Sequence, residues 1–281
     1  MMERKKVVVI SDTHLGYEKC DRASLNDFLS ALQKDPDVTD LVLLGDIVDM
    51  WRRDASGVFL ESREIVEKII RLQERTRVHY VAGNHDYHLL HLKNTKQFFM
   101  YPLEFKENLT IEDGQYAYRF MHGYEFEYGP REANPTMHLV MNALCRVMSD
   151  EQGYVEDDVW GLVTKGWSEI SYFFSTILLF RKRRIKAITT QLRDNPEKRL
   201  TDKIQDVDRR AYEAQGGKPN EILVYGHTHR PFINKQENVV NSGSWVTDAT
   251  THNTYLELSE GRPRLFVFGK GEILERVDLP R

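Results

Sequence analysis

Largely apolar runs recur along the chain, and each ends on a glycine or on a polar residue able to bind a cation or move a proton. Residues 7–10 lead into Asp12-Thr13-His14, 41–44 into Gly45-Asp46, and 78–82 into Gly83-Asn84-His85-Asp86. Residues 116–121 lead into His122-Gly123, and 222–225 into Gly226-His227-Thr228-His229. Short runs rich in β-branched and aromatic residues, bounded by turn formers, predict buried strands. Between the first two, residues 24–33 place Leu25, Phe28, Leu29 and Leu32 at helical spacing, with Ser24 as the expected cap. Residues 61–75 do the same with Ile65, Ile69, Ile70 and Leu72. Strands alternating with helices predict an α/β fold, in which chemistry gathers at the carboxyl ends of the strands.

The later chain changes character. Residues 130–215, between His122 and the Gly226-His227 block, read as a helical insertion in a single domain spanning 1–281. Within it, residues 137–148 are rich in long apolar side chains, Trp160 and Trp167 are one heptad apart, and 172–180 are nearly all apolar. The run Arg181-Lys182-Arg183-Arg184-Ile185-Lys186 then turns basic. An apolar stretch against a cationic cluster suits an interfacial helix over 171–186 that makes peripheral membrane contact. An ordinary helical cap, buried on itself or on a second copy in an oligomer, fits as well. The stretch is too short to span a bilayer, and its aliphatic neighbours fit nucleic acid poorly. Residues 200–215 predict one more helix, and 255–258 with 265–268 a closing hairpin through Glu260-Gly261.

Composition narrows the class. With 281 residues, 41% of them hydrophobic, the chain can bury a substantial core, and a formal charge of -4 leaves no global nucleic-acid footprint. Two cysteines without paired spacing support neither a disulfide framework nor a thiolate metal site. A basic start followed by an apolar run too short for a signal sequence leads to the expectation of a cytoplasmic protein.

The chemistry lies in the strand ends. Asp, His and Asn, with no thiolate, are donors that suit Mn, Fe or Zn. Asp12, His14, Asp46, Asn84, His122, His227 and His229 are too many ligands for one ion. Two divalent ions sharing one carboxylate fit the number. Asp46 is the expected bridge, because Gly45 before it permits close backbone approach. Arg52 and Arg53 are suited to gripping phosphate oxygens, although spacing alone does not say which points inward. His88 and His91 read as helix residues that are exposed or otherwise satisfied.

Taken together, Asp12-x-His14, Gly45-Asp46-x-x-Asp49, Gly83-Asn84-His85-Asp86, His122-Gly123 and Gly226-His227-x-His229 resemble the signature of the calcineurin-like metallophosphoesterases. The resemblance implies a four-layer αββα sandwich. It implies a first ion on Asp12, His14, Asp46 and His229 and a second on Asp46, Asn84, His122 and His227. It makes Asp49 the orienter of His85, which would stand free of the ions as a general acid.

Within the superfamily, Asp49-Met50-Trp51, Gly226-His227-Thr228-His229-Arg230-Pro231 and the helical insertion look most like the UDP-2,3-diacylglucosamine diphosphatase branch. That branch usually carries Arg where this chain has His85, and Asp where it has Tyr124. A phosphate leaving group needs little protonation, whereas an alkoxide benefits from an acid. His85 therefore favours a phosphoester, lipid- or nucleotide-linked, over a pyrophosphate bond. A Mn-dependent nuclease is a rival, since the first and third motifs also resemble those of double-strand-break repair nucleases. A non-catalytic scaffold on the same fold is another, although such relatives have lost ligands and this chain keeps them all.

Overall fold

A computed structural model of the chain describes residues 6–92, 103–128, 196–236 and 238–273. In chain order it begins β1 (Lys6–Ile10), α1 (Arg22–Leu32), β2 (Val38–Leu44), α2 (Ala55–Glu61), α3 (Arg63–Leu72), β3 (Arg77–Val81), β4 (Phe105–Lys106), β5 (Asn108–Asp113) and β6 (Tyr116–Met121). It continues with α4 (Pro196–Gln215), β7 (Glu221–Tyr225), β8 (Phe232–Asn234), β9 (Val239–Asn241), β10 (Thr254–Ser259), β11 (Arg262–Val267) and β12 (Gly271–Ile273). One sheet has the order β12-β11-β10-β1-β2-β3-β4 and the other β5-β6-β7-β9-β8. β1 to β4 run parallel, as do β6, β7 and β9, and the remaining pairings are antiparallel.

The layering follows from the two-residue period of a strand. Along β1, Val7 and Val9 face the second sheet in a core shared with Phe120 and Val224, while Val8 and Ile10 pack with Phe28 and Leu29 of α1 and Ile65 and Ile69 of α3. β2 alternates in the same way, Val42 and Leu44 to one side and Leu41 and Leu43 to the other. A strand covered on both faces has no polar side to show, which is why residues 41–44 of β2 form an unbroken apolar run. On the outer face of the second sheet, Leu223, Tyr225, Phe232 and Val239 meet Val207 and Ala211 of α4. The result is helix, sheet, sheet, helix, the expected αββα sandwich.

Three local expectations shift. Helix α1 starts before Ser24, because the Asp21 side chain accepts from the Ser24 amide at 3.1 Å and is itself the cap. The helix expected over 61–75 forms as α3, shorter at both ends and starting after Ser62, whose backbone leaves the helical region at φ -107°, ψ 15°; α2 before it has no counterpart in the expectation. The buried face of α3 carries Val66 where Ile70 was expected; Ile70 is only half-buried. Helix α4 opens at Pro196, where the missing amide costs nothing in a first turn. Apart from α4, the insertion lies outside the described residues, and so does the stretch 171–186 assigned to lipid contact. Among the described residues, no helix is long and apolar enough to cross a membrane. The closing hairpin forms as expected, with Glu260 and Gly261 both at positive φ (50° and 69°), the geometry of a two-residue turn between twisted strands.

Candidate active site

The loops after the parallel strands are tied to one another by backbone and buried side chains. Beyond β1 and β2 the parallel pairing continues: Asp12 N donates to Gly45 O (3.0 Å), His14 N to Asp46 O (2.9 Å) and Leu15 N to Ile47 O (2.9 Å). Asp86 accepts from Ile47 N (2.8 Å), Gly83 N (2.6 Å) and the Tyr80 hydroxyl (2.6 Å), which fastens the loop after β3 to the loop after β2. Burial, and then the nearby charge of Asp46, push the Asp86 carboxyl up to about 6. From the second sheet, Asn241 Nδ2 donates to Gly226 O (2.8 Å) and Trp245 N to Asp12 O (3.0 Å), so the 241–245 turn holds the histidine loop against the first motif.

These ties bring six of the seven predicted ligands, Asp12, His14, Asp46, His122, His227 and His229, to one place. Asp12, His14 and His229 form one trio of potential metal donors and Asp46, His122 and His227 a second, the donor atoms in each lying within 4.8 Å of one another. Asp46 Oδ2 stands between them, 3.8 Å from His14 Nε2 and 3.2 Å from His122 Nε2. His229 Nε2 is 3.3 Å from Asp12 Oδ1. His85 is at the edge of the cluster, its Nε2 4.0 Å from Asp46 Oδ2, and forms a third trio with His14 and Asp46.

Each carboxylate is held by one oxygen and offers the other. Asp12 Oδ2 accepts from His227 N (3.0 Å), and Asp46 Oδ1 from His85 N (2.8 Å). Asp12 Oδ1, Asn84 Oδ1 and His122 Nε2 are buried and have no hydrogen-bond partner. His122 Nε2 and Asp12 Oδ1 face opposite charge, Asp46 Oδ2 at 3.2 Å and His229 Nε2 at 3.3 Å, which offsets part of the cost of leaving them without a hydrogen bond. Divalent cations would satisfy all of them, and oxygen and imidazole donors suit Mn, Fe or Zn. Close approach explains the glycines: a Cβ on Gly83 would lie 2.2 Å from Asp46 Oδ1, and one on Gly45 2.3 Å from His122 Nδ1. The residues present therefore fit two divalent ions.

Asp49 is a buried hub. Its Oδ2 accepts from His14 Nδ1 (2.9 Å) and Arg52 Nη1 (2.7 Å), and its Oδ1 from His85 Nδ1 (3.0 Å). The carboxylate thus holds His85, as the motif resemblance implies, and His14 as well, which was not foreseen. Trp51 stacks on His85 at 4.0 Å and 24°, fixing the ring from its face. Arg52 lies over the Tyr17 ring at 4.5 Å, at the rim, whereas Arg53 pairs with Glu61 of α2. His88 sits in a 3-10 turn (Tyr87–Leu92) and is half-buried. The Trp51 stack leaves no spacing signal in the sequence, because it depends on two loops meeting.

Charge in the cluster is balanced internally. Burial works to raise Asp46 and Asp49, but the imidazoles outweigh it and hold both well below the ordinary carboxylate range: His122 and His85 for Asp46, His85 and His14 for Asp49. Asp12 is lowered in the same way, chiefly by His122 and His229 against burial. Burial opposes the charged form of His122, yet Asp46 and Asp12 lift it well above the usual imidazole range.

Two donor trios about a shared carboxylate, at the strand ends of an αββα sandwich, define a candidate dinuclear metal centre. The chain belongs to the calcineurin-like phosphoesterase family, whose model matches residues 5–231 and whose members typically bind two divalent metals. Comparison with curated proteins returns no match. Similar solved structures include Yfce, a phosphoesterase from E. coli, at 15% identity and TM-score 0.48, covering 96% of each chain. A dimetal phosphatase from Danio rerio matches at 11% identity and TM-score 0.49, covering 96% of each chain. An archaeal phosphodiesterase matches at 13% identity and TM-score 0.44, covering 93% of this chain and 99% of its own.

Proposed function

We propose that the chain is a hydrolase of phosphoesters that uses two divalent ions, manganese foremost, and water as the nucleophile. The observation that carries this reading is the pair of trios, Asp12, His14 and His229 and Asp46, His122 and His227, with Asp46 Oδ2 lying 3.8 Å from His14 Nε2 and 3.2 Å from His122 Nε2. Asp12, His14, Asp46 and His229 would hold one ion, and Asp46, Asn84, His122 and His227 the other. The ions supply Lewis acidity, making water more acidic and neutralising charge on phosphoryl oxygens. The chain's own residues supply position and a proton. Asp49 accepts from His85 Nδ1 and Trp51 covers the ring, so His85 Nε2 is the nitrogen that faces the cluster. As water attacks phosphorus and the bond to the leaving oxygen breaks, a proton passes from His85 Nε2 to that oxygen. Arg52, held by Asp49 at 2.7 Å, would supply a cation for a second phosphate or a charged head group.

The substrate favoured is an ester of a lipid- or nucleotide-linked alcohol, because an alkoxide leaving group gains most from His85. A second reading, pyrophosphate cleavage of the UDP-2,3-diacylglucosamine kind, is favoured by Trp51 beside Asp49 and by the Gly226-to-Pro231 block. The test is reconstitution of metal-stripped protein with Mn²⁺, followed by assay of bis- and mono-nitrophenyl phosphates, alkyl phosphodiesters and nucleotide diphosphates. Two bound ions per chain and turnover of the esters above the diphosphates are expected. Fewer than two ions, or no turnover of any ester or diphosphate, would overturn the reading.

A further inference from the structure

The imidazoles of the cluster are not all held alike. His14 and His85 each place Nδ1 on Asp49, and His122 donates Nδ1–H to the Leu44 carbonyl at 2.9 Å. In all three, Nε2 is left toward the carboxylates. His227 is reversed: its Nε2 lies 2.8 Å from Glu127 Oε1. We propose that Glu127 is a positioning residue for the second ion, accepting from His227 Nε2–H and so leaving Nδ1 as the donor atom. The inference rests on the dinuclear reading above.

Glu127 is built for this task. It belongs to a 3-10 turn (Tyr124–Tyr128) that begins directly after the His122-Gly123 motif. Of the acidic residues in that turn, Glu125 turns back to accept from Gly123 N at 2.8 Å, which leaves Glu127 as the one that reaches His227. The turn is braced from the opposite side. Phe126 is buried with Val207, Ala211 and Tyr225, and Arg210 Nη1 of α4 donates to the Phe126 carbonyl (2.7 Å) and to the Glu127 carbonyl. Glu127 and His227 are both mostly buried, at 13% and 15% side-chain exposure, so the bond between them is little diluted by solvent. A carboxylate that fixes the tautomer and ring angle of a metal-ligating histidine is worth roughly 10- to 100-fold in metal affinity. Here the effect should fall on one ion, because the Asp12, His14 and His229 trio makes no use of Glu127.

The experiment is Mn²⁺ titration of the metal-stripped full chain, with free Mn²⁺ read by electron paramagnetic resonance, and with circular dichroism and melting recorded for each variant. Wild type should bind two ions. Glu127→Ala should bind the first with unchanged affinity and the second about 10- to 100-fold more weakly. Glu127→Gln keeps an oxygen acceptor without the charge and should recover most of the loss. Arg210→Ala, which leaves Glu127 in place but loosens the turn, should weaken the second ion by a smaller factor. Two ions bound by Glu127→Ala with wild-type affinities would overturn the inference while leaving the dinuclear reading intact. Equal weakening of both ions, or a Gln variant as weak as Ala, would overturn it too. Fewer than two ions in wild type would remove the ground for both.

Discussion

At the scale of single residues, five of the cluster's members hold their backbones in the left-handed region: Asp12, His14, Asp46, His227 and His229, with φ between 47° and 65°. For a non-glycine residue that conformation costs about 1–2 kcal/mol, so the chain spends stability to turn these side chains back over the strand ends. His229 offers the cleanest test, since its side chain is 29% exposed and little packing is lost with it. In metal-free protein, His229→Gly and His229→Ala both lose the contact with Asp12, so the glycine variant should be the more stable of the two in urea unfolding by about 1 kcal/mol; equal stabilities would show that the turn carries no strain. His85 is tested by leaving group. Removing a general acid costs typically 10²–10⁴-fold where the leaving oxygen needs a proton. His85→Ala should therefore slow an alkyl phosphoester by about 10²-fold or more and a nitrophenyl ester far less. Equal slowing of the two would exclude the proton-donor role. These residues were legible because each pairs a ligand chemistry with the end of an apolar run, a conjunction visible without coordinates. Trp51 and Glu127 were not, since a tryptophan and a glutamate gain meaning here only from the ring that lies against each.

At the scale of elements, the apolar runs told where strands stop but not which neighbours they take. The expected β1, β2, β3, β6 and β7 all form, whereas β4, β8 and β12, of two or three residues each, are too short to leave a periodic pattern. Helix α4 has a polar outer face that periodicity reads well, yet a buried carboxylate on it runs against the pattern. Asp208 is 3% exposed, accepts from the Tyr225 hydroxyl at the end of β7, and is pushed up to about 6 by burial, against the Tyr225 bond and the charge of Arg230. A carboxyl raised in the folded state above its unfolded value near 4 favours folding below that value and loses the contribution as pH rises through 6. Asp208→Asn keeps the acceptor for Tyr225 and cannot ionise. The melting temperature of the variant minus that of wild type should thus grow between about pH 4 and pH 7, reaching on the order of 2 kcal/mol in stability. A difference flat with pH would mean that Asp208 is ionised throughout, paired with Arg230.

Over the whole molecule, no local signal states that two sheets face each other; the sandwich became legible only when five motifs were read as one set. What the packing adds is a cage whose charge is balanced in two alternative ways. Without ions, His122 is held in its charged form by Asp46 and Asp12, so its contribution is fully present below an imidazole's ordinary value near 6.5 and is lost as pH rises through its raised folded value. With ions, His122 must be neutral to bind, and rising pH favours the loaded state. The two forms should therefore diverge. The gap in melting temperature between protein in Mn²⁺ and protein in chelator should widen from pH 6 to pH 9. At neutral pH and about a thousandfold excess over the dissociation constant, each ion adds about 4 kcal/mol, or about 10 °C at the 2–4 °C per kcal/mol expected for a domain of this size. The carboxylates behave oppositely: Asp12, Asp46 and Asp49 are depressed in the fold, so their contribution is present above about pH 4 and lost as pH falls through their lowered values. Chelation should leave the far-ultraviolet circular dichroism intact, because the core between the sheets, from Val7 to Leu256, does not include the cage. A melting temperature indifferent to Mn²⁺ and chelator across that pH range would mean that the cluster is an ordinary buried network of histidines and carboxylates, held by its own protons.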